Sequence, residues 1–158
     1  MACENTISRQ TCHNFDDSIL SEFSISDSSK AILRGFFKES DFLLLVIFDE
    51  KDCLDCNLQA ANVWKLYGKR LDDLKTKLIF LTDIKNSRSF AESMNNYKIN
   101  WPVFYDSQGE FFDKNGEILN EHLKTFVIDR EFKFVWCGSP ISTQSDWNSF
   151  VGLIREKL

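Results

Sequence analysis

Hydrophobic residues recur along the chain in two patterns, one with a spacing of three or four positions and one made of short continuous runs. The first pattern is typical of amphipathic helices and the second of buried strands. Helices are predicted within residues 26–40, 53–74, 86–98 and 143–158. Strands are predicted at residues 42–48, 77–83 and 101–106, and a two-stranded hairpin at residues 125–138. This order of elements predicts an α/β fold in which helices cover a mixed central sheet.

Two of these helices have a predicted inward stripe of apolar residues. In the helix that begins near Cys53, the stripe consists of Ala60, Val63, Trp64, Tyr67, Leu71 and Leu74. Gly68 interrupts this helix and is expected to mark a bend, because glycine costs a helix about 1 kcal/mol relative to alanine. In the last helix, Thr143 is the predicted N-cap, with Asp146 at the third helical position. The stripe of the last helix consists of Trp147, Phe150, Val151, Ile154 and Leu158.

The composition predicts one packed domain preceded by a polar arm. The chain has 158 residues, of which 43% are hydrophobic, and it contains 15 Phe and 4 Trp. A chain of this length can bury roughly two-thirds of its unfolded surface. Residues 1–25 are polar with few apolar anchors and are predicted to form an arm over the core. Residues 26–158 are predicted to form the domain.

The charge pattern argues against two classes of function. The 24 acidic and 19 basic residues give a net charge of -5, and the basic residues are scattered singly or in short pairs. Nucleic-acid binding, which needs a basic patch, is therefore not expected. The longest apolar run, from Phe42 to Phe48, is too short to span a bilayer.

The chain contains five cysteines, an odd number that cannot all be paired within one molecule. The first ten residues lack the basic and apolar segments of a signal peptide. Cys3 is interpreted as the first residue of a mature lipoprotein whose leader has been removed, which would attach the protein to a membrane. The alternative interpretation is a free thiol in a mobile terminus.

Cys53 and Cys56 form a Cys-X-X-Cys motif between a predicted strand and a predicted helix. At the start of a helix, the first sulfur lies near free N–H groups and the positive end of the helix dipole, which favour a thiolate. The second sulfur is close enough to form a disulfide with the first. Cys53 is therefore the predicted nucleophile and Cys56 the predicted resolving cysteine.

The motif also has two interpretations without redox chemistry, a zinc site and a structural disulfide. Zinc needs four ligands, and the chain has no second Cys-X-X-Cys motif. The other ligands on offer are Cys3, Cys12, Cys137, His13 and His122. No metal site is therefore predicted, whereas a structural disulfide without exchange chemistry stays open.

Acidic residues surround the two cysteines. Asp49, Glu50, Asp52 and Asp55 lie within a few positions of the pair, against a single Lys51. Negative neighbours disfavour a thiolate and so oppose the helix dipole. The thiol pKa of Cys53 is therefore predicted to be less depressed than in a strong oxidant, as in a reductant or a slow exchanger.

Segments beyond the motif carry a family resemblance. Residues 97–106 (YKINWPVFYD) and 124–135 (KTFVIDREFKFV) resemble the thioredoxin superfamily, specifically its TlpA/ResA-like branch of extracytoplasmic thiol-disulfide oxidoreductases. Residues 137–150 (CGSPISTQSDWNSF) are similar to the segment before the last helix in a set of bacterial lipoproteins. The resemblance covers about residues 42–158. It implies a thioredoxin-like three-layer sandwich that exchanges disulfides with protein thiols outside the cytoplasm. It also implies no metal or organic cofactor, because the electrons come from a redox partner.

The chain departs from this family at the loop that docks substrates. Active members have a cis-proline just before the strand that begins here near Thr125, but this chain has Leu123 and Lys124. A cis bond before a residue other than proline costs about 2.5–4 kcal/mol, so a trans loop is expected. The resemblance places substrate contacts at Leu123, Lys124 and Thr125. The alternative function is a binding or scaffold module in which the loop no longer receives substrates and the cysteine pair is a fixed disulfide.

Peroxidase activity, which occurs in nearby families, is not expected. Those enzymes have a threonine and a proline upstream of the reactive cysteine to position the peroxide. The segment before Cys53, VIFDEKDC, contains neither residue.

Overall fold

A five-stranded mixed sheet organises the described residues of the computed structural model, which are 26–48, 53–83, 85, 87–106, 108–115 and 125–158. The strands are β1 (Phe42–Phe48), β2 (Thr76–Thr82), β3 (Val103–Tyr105), β4 (Thr125–Ile128) and β5 (Phe134–Cys137). Their order in the sheet is β3-β2-β1-β4-β5. β1, β2 and β3 are parallel, whereas β4 is antiparallel to β1 and β5 is antiparallel to β4. The predicted mixed sheet is therefore confirmed.

Six α-helices lie among the described residues. They are α1 (Asp27–Phe36), α2 (Leu54–Val63), α3 (Gly68–Asp73), α4 (Ser87–Asn96), α5 (Glu110–Lys114) and α6 (Gln144–Lys157). A 3₁₀ turn at Trp64–Leu66 follows α2. The predicted arm, residues 1–25, lies outside the described residues, and the division into arm and domain stays a prediction.

The central strand β1 is buried on both faces, as its continuous apolar run predicts. Successive side chains of a strand point to opposite faces, so β1 contributes to two cores. Leu44, Val46 and Phe48 belong to core 1, which also receives the buried side chains of α2, α3, α4 and α6. Phe42 also belongs to core 1, whereas Leu43, Leu45 and Ile47 belong to core 2, which is covered by α1 and α5. The predicted sandwich of helix, sheet and helix layers is confirmed.

The helix predicted at residues 53–74 is interrupted. It ends as α2 at Val63, passes through the 3₁₀ turn, and resumes as α3 at Gly68, where the sequence predicted a bend. The first part of the predicted stripe is wrong, because Ala60 and Val63 are exposed. Leu58 and Ala61 are buried instead. The exposed pair and the buried pair both have a spacing of three positions, and the buried pair is the one that faces the sheet.

The last helix, α6, follows its prediction at the start and departs from it at the end. The Thr143 hydroxyl accepts a hydrogen bond from the amide of Asp146 at 3.0 Å. Trp147, Phe150 and Ile154 are buried in core 1. Leu158 was predicted on the inward stripe but is exposed, because the helix ends at Lys157 and Leu158 lies beyond it.

Helix α5 was not predicted. The buried carboxylate of Asp106 accepts hydrogen bonds from the amides of Phe111 at 3.0 Å and Phe112 at 3.2 Å. Gly109 precedes the helix with a φ of 69°, a left-handed conformation that favours glycine. A five-residue helix has too few apolar positions to show a period, so its formation depends on these tertiary and capping contacts.

Candidate redox site

The Cys53–Cys56 pair lies beyond the carboxyl end of the central strand β1. Phe48 ends this strand in core 1, where its ring contacts those of Phe80 and Phe90 with centroids 4.9 Å and 5.7 Å away. On the other side of the pair, Leu58 anchors α2 in the same core and is fully buried. The start of α2 is therefore fixed by packing that does not involve either sulfur.

Cys53 is the N-cap of α2. Its backbone is extended, with φ -64° and ψ 109°, and its Sγ accepts a hydrogen bond from the amide of Cys56 at 3.4 Å. Its carbonyl oxygen accepts the first hydrogen bond of the helix, from the amide of Asn57 at 3.0 Å. Both cysteines are free thiols, and both are exposed. This is the arrangement predicted from the sequence, with the first sulfur at the free N–H groups of a helix.

The two thiols shift each other's pKa in opposite directions. The pKa of Cys53 is lowered, first because the thiol of Cys56 donates a hydrogen bond to it and then because the Cys56 amide does so. The pKa of Cys56 is raised, chiefly because its proton is used in that hydrogen bond. Asp55 opposes the thiolate at Cys53, as predicted, but its charge is a smaller influence than the hydrogen bonds. The other acidic neighbours, Asp49, Glu50 and Asp52, lie outside the described residues.

Of the three predicted substrate-contacting residues, Thr125 alone is described. It begins β4 opposite Val46 of β1, so it lies at the end of the sheet from which the chain runs to Cys53. Its side chain is buried, and its carbonyl oxygen accepts a hydrogen bond from the amide of Gly138 at 2.8 Å. Thr125 is thus part of the sheet, and its contact with substrates stays a prediction. Leu123, Lys124 and the neighbouring His122 lie outside the described residues.

A row of side chains that the sequence did not single out lies across the same end of the sheet. The register aligns Phe48 of β1 with Thr82 of β2, and Thr82 with Tyr105 of β3. Tyr105 is half-buried against Phe90, with ring centroids 6.2 Å apart, and this burial raises its pKa. The one signal in the sequence is that Thr82 and Tyr105 each lie one position before the end of a predicted strand. The row forms the edge of core 1 behind the start of α2.

The described residues contain neither a cluster of metal ligands nor a membrane-spanning helix. No group of three or more histidine, cysteine or acidic side chains there could hold a metal ion. Cys137 is half-buried at the end of β5, where it packs against core 2, on the face of the sheet opposite α2. Among the same residues, no helix is both long and apolar enough to cross a membrane. Cys3, Cys12 and His13 lie outside the described residues.

Comparison with solved structures identifies the fold. The thioredoxin domain of a thiol-disulfide oxidoreductase from Bacteroides vulgatus matches 76% of this chain and 83% of its own, with a TM-score of 0.57 and 10% identity. The thiol:disulfide interchange protein DsbE from Chlorobium tepidum matches 76% and 84%, with a TM-score of 0.58 and 10% identity. The chain has the thioredoxin fold. The fold predicted from the sequence resemblance is thereby confirmed.

A third similar structure is that of a protein named as a peroxidoxin and not as a thiol-disulfide oxidoreductase. Peroxidoxin BcpB from Mycobacterium tuberculosis matches 78% of this chain and 84% of its own, with a TM-score of 0.57 and 17% identity. No family model and no curated protein matches the sequence. The thiol-disulfide oxidoreductases among the similar structures agree with the resemblance to the TlpA/ResA-like branch, while identities this low bear on the fold and not on the activity.

Proposed function

We propose that the protein is a thiol-disulfide oxidoreductase that exchanges disulfides with protein thiols through Cys53 and Cys56. The observation that carries the proposal is the exposed Cys53 sulfur at the N-cap of α2, 3.4 Å from the amide nitrogen of Cys56. A thiolate there gains hydrogen bonds and the favourable end of the helix dipole, while remaining open to attack a partner.

The exchange takes place in two steps when the protein acts as a reductant. The Cys53 thiolate attacks one sulfur of a substrate disulfide, a mixed disulfide forms, and the other substrate sulfur leaves as a thiolate that takes up a proton. Cys56 then loses its proton and attacks the Cys53 sulfur, which releases the second substrate thiolate. Two electrons have passed to the substrate, and the protein is left with a Cys53–Cys56 disulfide. The same steps in reverse oxidise a substrate dithiol.

The opposite pKa shifts suit this order of events. While Cys53 is a thiolate, it holds the proton of Cys56 through their hydrogen bond, which is the main reason that the pKa of Cys56 is raised. Once Cys53 is part of a mixed disulfide, that negative charge is gone and the pKa of Cys56 falls. Cys56 therefore becomes a nucleophile after the first step and not before it.

The exposure of the pair favours exchange over a structural role. A structural disulfide holds segments together, but α2 is already held by Leu58, Ala61 and Leu54 packing on core 1. Both sulfurs lie outside that packing and are reachable from solvent. A disulfide between them would close a loop within one helical turn, which adds little restraint to the chain.

A glutathione redox titration tests the proposal. We expect the Cys53–Cys56 pair to interconvert with a midpoint between about -120 and -270 mV, the span of known exchangers, because both sulfurs are accessible and already within reach of each other. Thiol trapping followed by mass spectrometry measures the fraction of the closed pair, and Cys53→Ser is the control. A pair still closed below about -300 mV, or one that never closes, would support the scaffold function instead.

We further propose that the protein acts outside the cytoplasm and is attached to a membrane through a lipid on Cys3. The support is the resemblance to bacterial lipoproteins and the odd number of cysteines, which cannot all be paired within one molecule. When the complete gene is expressed in bacteria fed labelled palmitate, the wild-type protein should carry the label, as should the control Cys137→Ser. Cys3→Ser should carry none. An unlabelled wild-type protein in the cytoplasmic fraction would contradict this proposal.

A further inference from the structure

From Cys56 onward, the outward side of α2 differs from the other helical surfaces in having no charged residue, and the exposed Asp55 lies one position earlier. From Cys56 to Trp64 the chain contains no Asp, Glu, Lys or Arg, although 27% of the whole chain is charged. The exposed positions of α1, α4 and α6 include charged residues, as in the ion pair of Arg88 and Glu92 on α4. The lack of charge on α2 is therefore local.

Two large apolar side chains are exposed on this outward side. Val63 is 46% exposed and Leu66 is 78% exposed. Helical geometry of 100° per residue places Val63 on the same side as Cys56, seven positions earlier, and opposite the buried Leu58 and Ala61. We call the exposed residues on this side the α2 outer face: Cys56, Gln59, Ala60, Val63 and Leu66. The face extends for about 15 Å from the redox pair.

The packing of the fold does not account for this face. Single exposed apolar residues are common on soluble proteins, but here two lie three positions apart at and just past the end of residues 56–64, which contain no charged residue. The nearest exposed charged residues in the sequence are Asp55 before this segment and Lys65 after it. The buried side of α2 is complete without them, since Leu58, Ala61 and Trp64 fill core 1. A surface of this kind is one that another molecule can cover without removing water from charged groups.

We propose that the α2 outer face docks an apolar, uncharged segment that flanks the exchanging cysteines of the protein partner. This inference rests on the proposed function, because a partner must bring its disulfide to Cys53 at the start of α2. Cys56 belongs both to the redox pair and to the outer face, so a segment that reaches the pair is continuous with a segment lying along α2. Val63 and Leu66 then select apolar partners, and the net charge of -5 disfavours acidic ones.

Two synthetic peptides test the docking. Both contain the same small disulfide ring, and one has three leucines beside it where the other has three serines. We expect the reduced wild-type protein to react about tenfold faster with the leucine peptide, because burying apolar side chains against Val63 and Leu66 stabilises the encounter. In V63D/L66D the two peptides should react at the same rate.

Two further variants control for side effects of the substitutions. Ile32→Asp changes a residue of similar exposure, 57%, on α1, which covers core 2 on the other face of the sheet, and should leave the tenfold preference unchanged. Val63→Ile with Leu66→Met keeps the face apolar and should retain the preference. Matching thermal midpoints identify variants that are still folded.

The outcomes separate the docking from the proposed function. If V63D/L66D still prefers the leucine peptide, or if wild type has no preference, the docking is wrong and the exchange activity stands. If neither peptide is reduced by wild type any faster than by Cys53→Ser, the proposed function fails and the docking with it. If sedimentation finds a wild-type dimer that V63D/L66D dissociates, the face binds a second copy of the chain and the docking is overturned.

Discussion

Cys53→Ser is expected to reduce the rate of disulfide exchange about a thousandfold, because a hydroxyl cannot replace the thiolate nucleophile. Serine is also a good N-cap and can accept the hydrogen bond from the amide of Cys56, so the variant should stay folded. Cys56→Ser should perform the first step and then stop as a stable mixed disulfide. The release of the coloured thiolate from an aromatic disulfide measures the first step, and mass spectrometry detects the trapped adduct.

The control for this pair of variants is Cys137→Ser, which changes a thiol on the opposite face of the sheet and should react like wild type. The pH dependence gives a second test. Because the pKa of Cys53 is lowered, its thiolate persists to a lower pH than that of an ordinary cysteine, and the rate should fall on acidification through the lowered value. Exchange that survives in Cys53→Ser, or a rate that rises on acidification, would contradict Cys53 as the nucleophile.

Phe90→Ala is expected to lower the free energy of unfolding by about 3–5 kcal/mol, the range for removing a fully buried phenylalanine. Phe90 is 0% exposed and lies on α4, with its ring 5.7 Å from that of Phe48 and 6.2 Å from that of Tyr105. Its loss leaves a cavity where three elements meet. Since domains of this size are stable by about 5–15 kcal/mol, the variant should be close to the limit of folding.

Urea unfolding followed by tryptophan fluorescence measures this change. Ile32→Ala is the matched control, because Ile32 is exposed on α1, and it should change the free energy of unfolding by less than about 0.5 kcal/mol. If Phe90→Ala lowers the free energy of unfolding by less than about 1 kcal/mol, the rings of Phe48, Phe90 and Tyr105 are not packed as described.

The elements that could be predicted from the sequence are those with a strong local pattern. The continuous apolar run of β1 predicts a buried strand, and all of its residues are buried in the structure. α6 combines an N-cap at Thr143 with a regular stripe, and both are observed, the stripe as far as Ile154. The hairpin of β4 and β5 lies within the predicted residues 125–138, and in its turn the Asp129 carboxylate accepts hydrogen bonds from the amides of Glu131 and Lys133. In each case residues close in the chain carry the information.

Other features depended on contacts between distant segments. The inward side of α2 could not be predicted, because two sets of apolar residues in it have helical spacing and the sheet selects one. α5 is a separate case, because its hydrogen bonds to the Asp106 carboxylate are short-range and no apolar period marks so short a helix. The strand order and the two cores likewise follow from the pairing of strands far apart in sequence.

The same division applies to the redox site. The sequence by itself determined the cysteine pair, its place between a strand and a helix, and the roles expected of Cys53 and Cys56, because these depend on spacing and on the local start of a helix. The tertiary structure decided that both sulfurs are exposed, that hydrogen bonds outweigh Asp55 in lowering the Cys53 pKa, and that Val63 and Leu66 point outward. The reason is physical: spacing defines which residues share a helical face, but packing against the sheet defines which of those faces meets solvent.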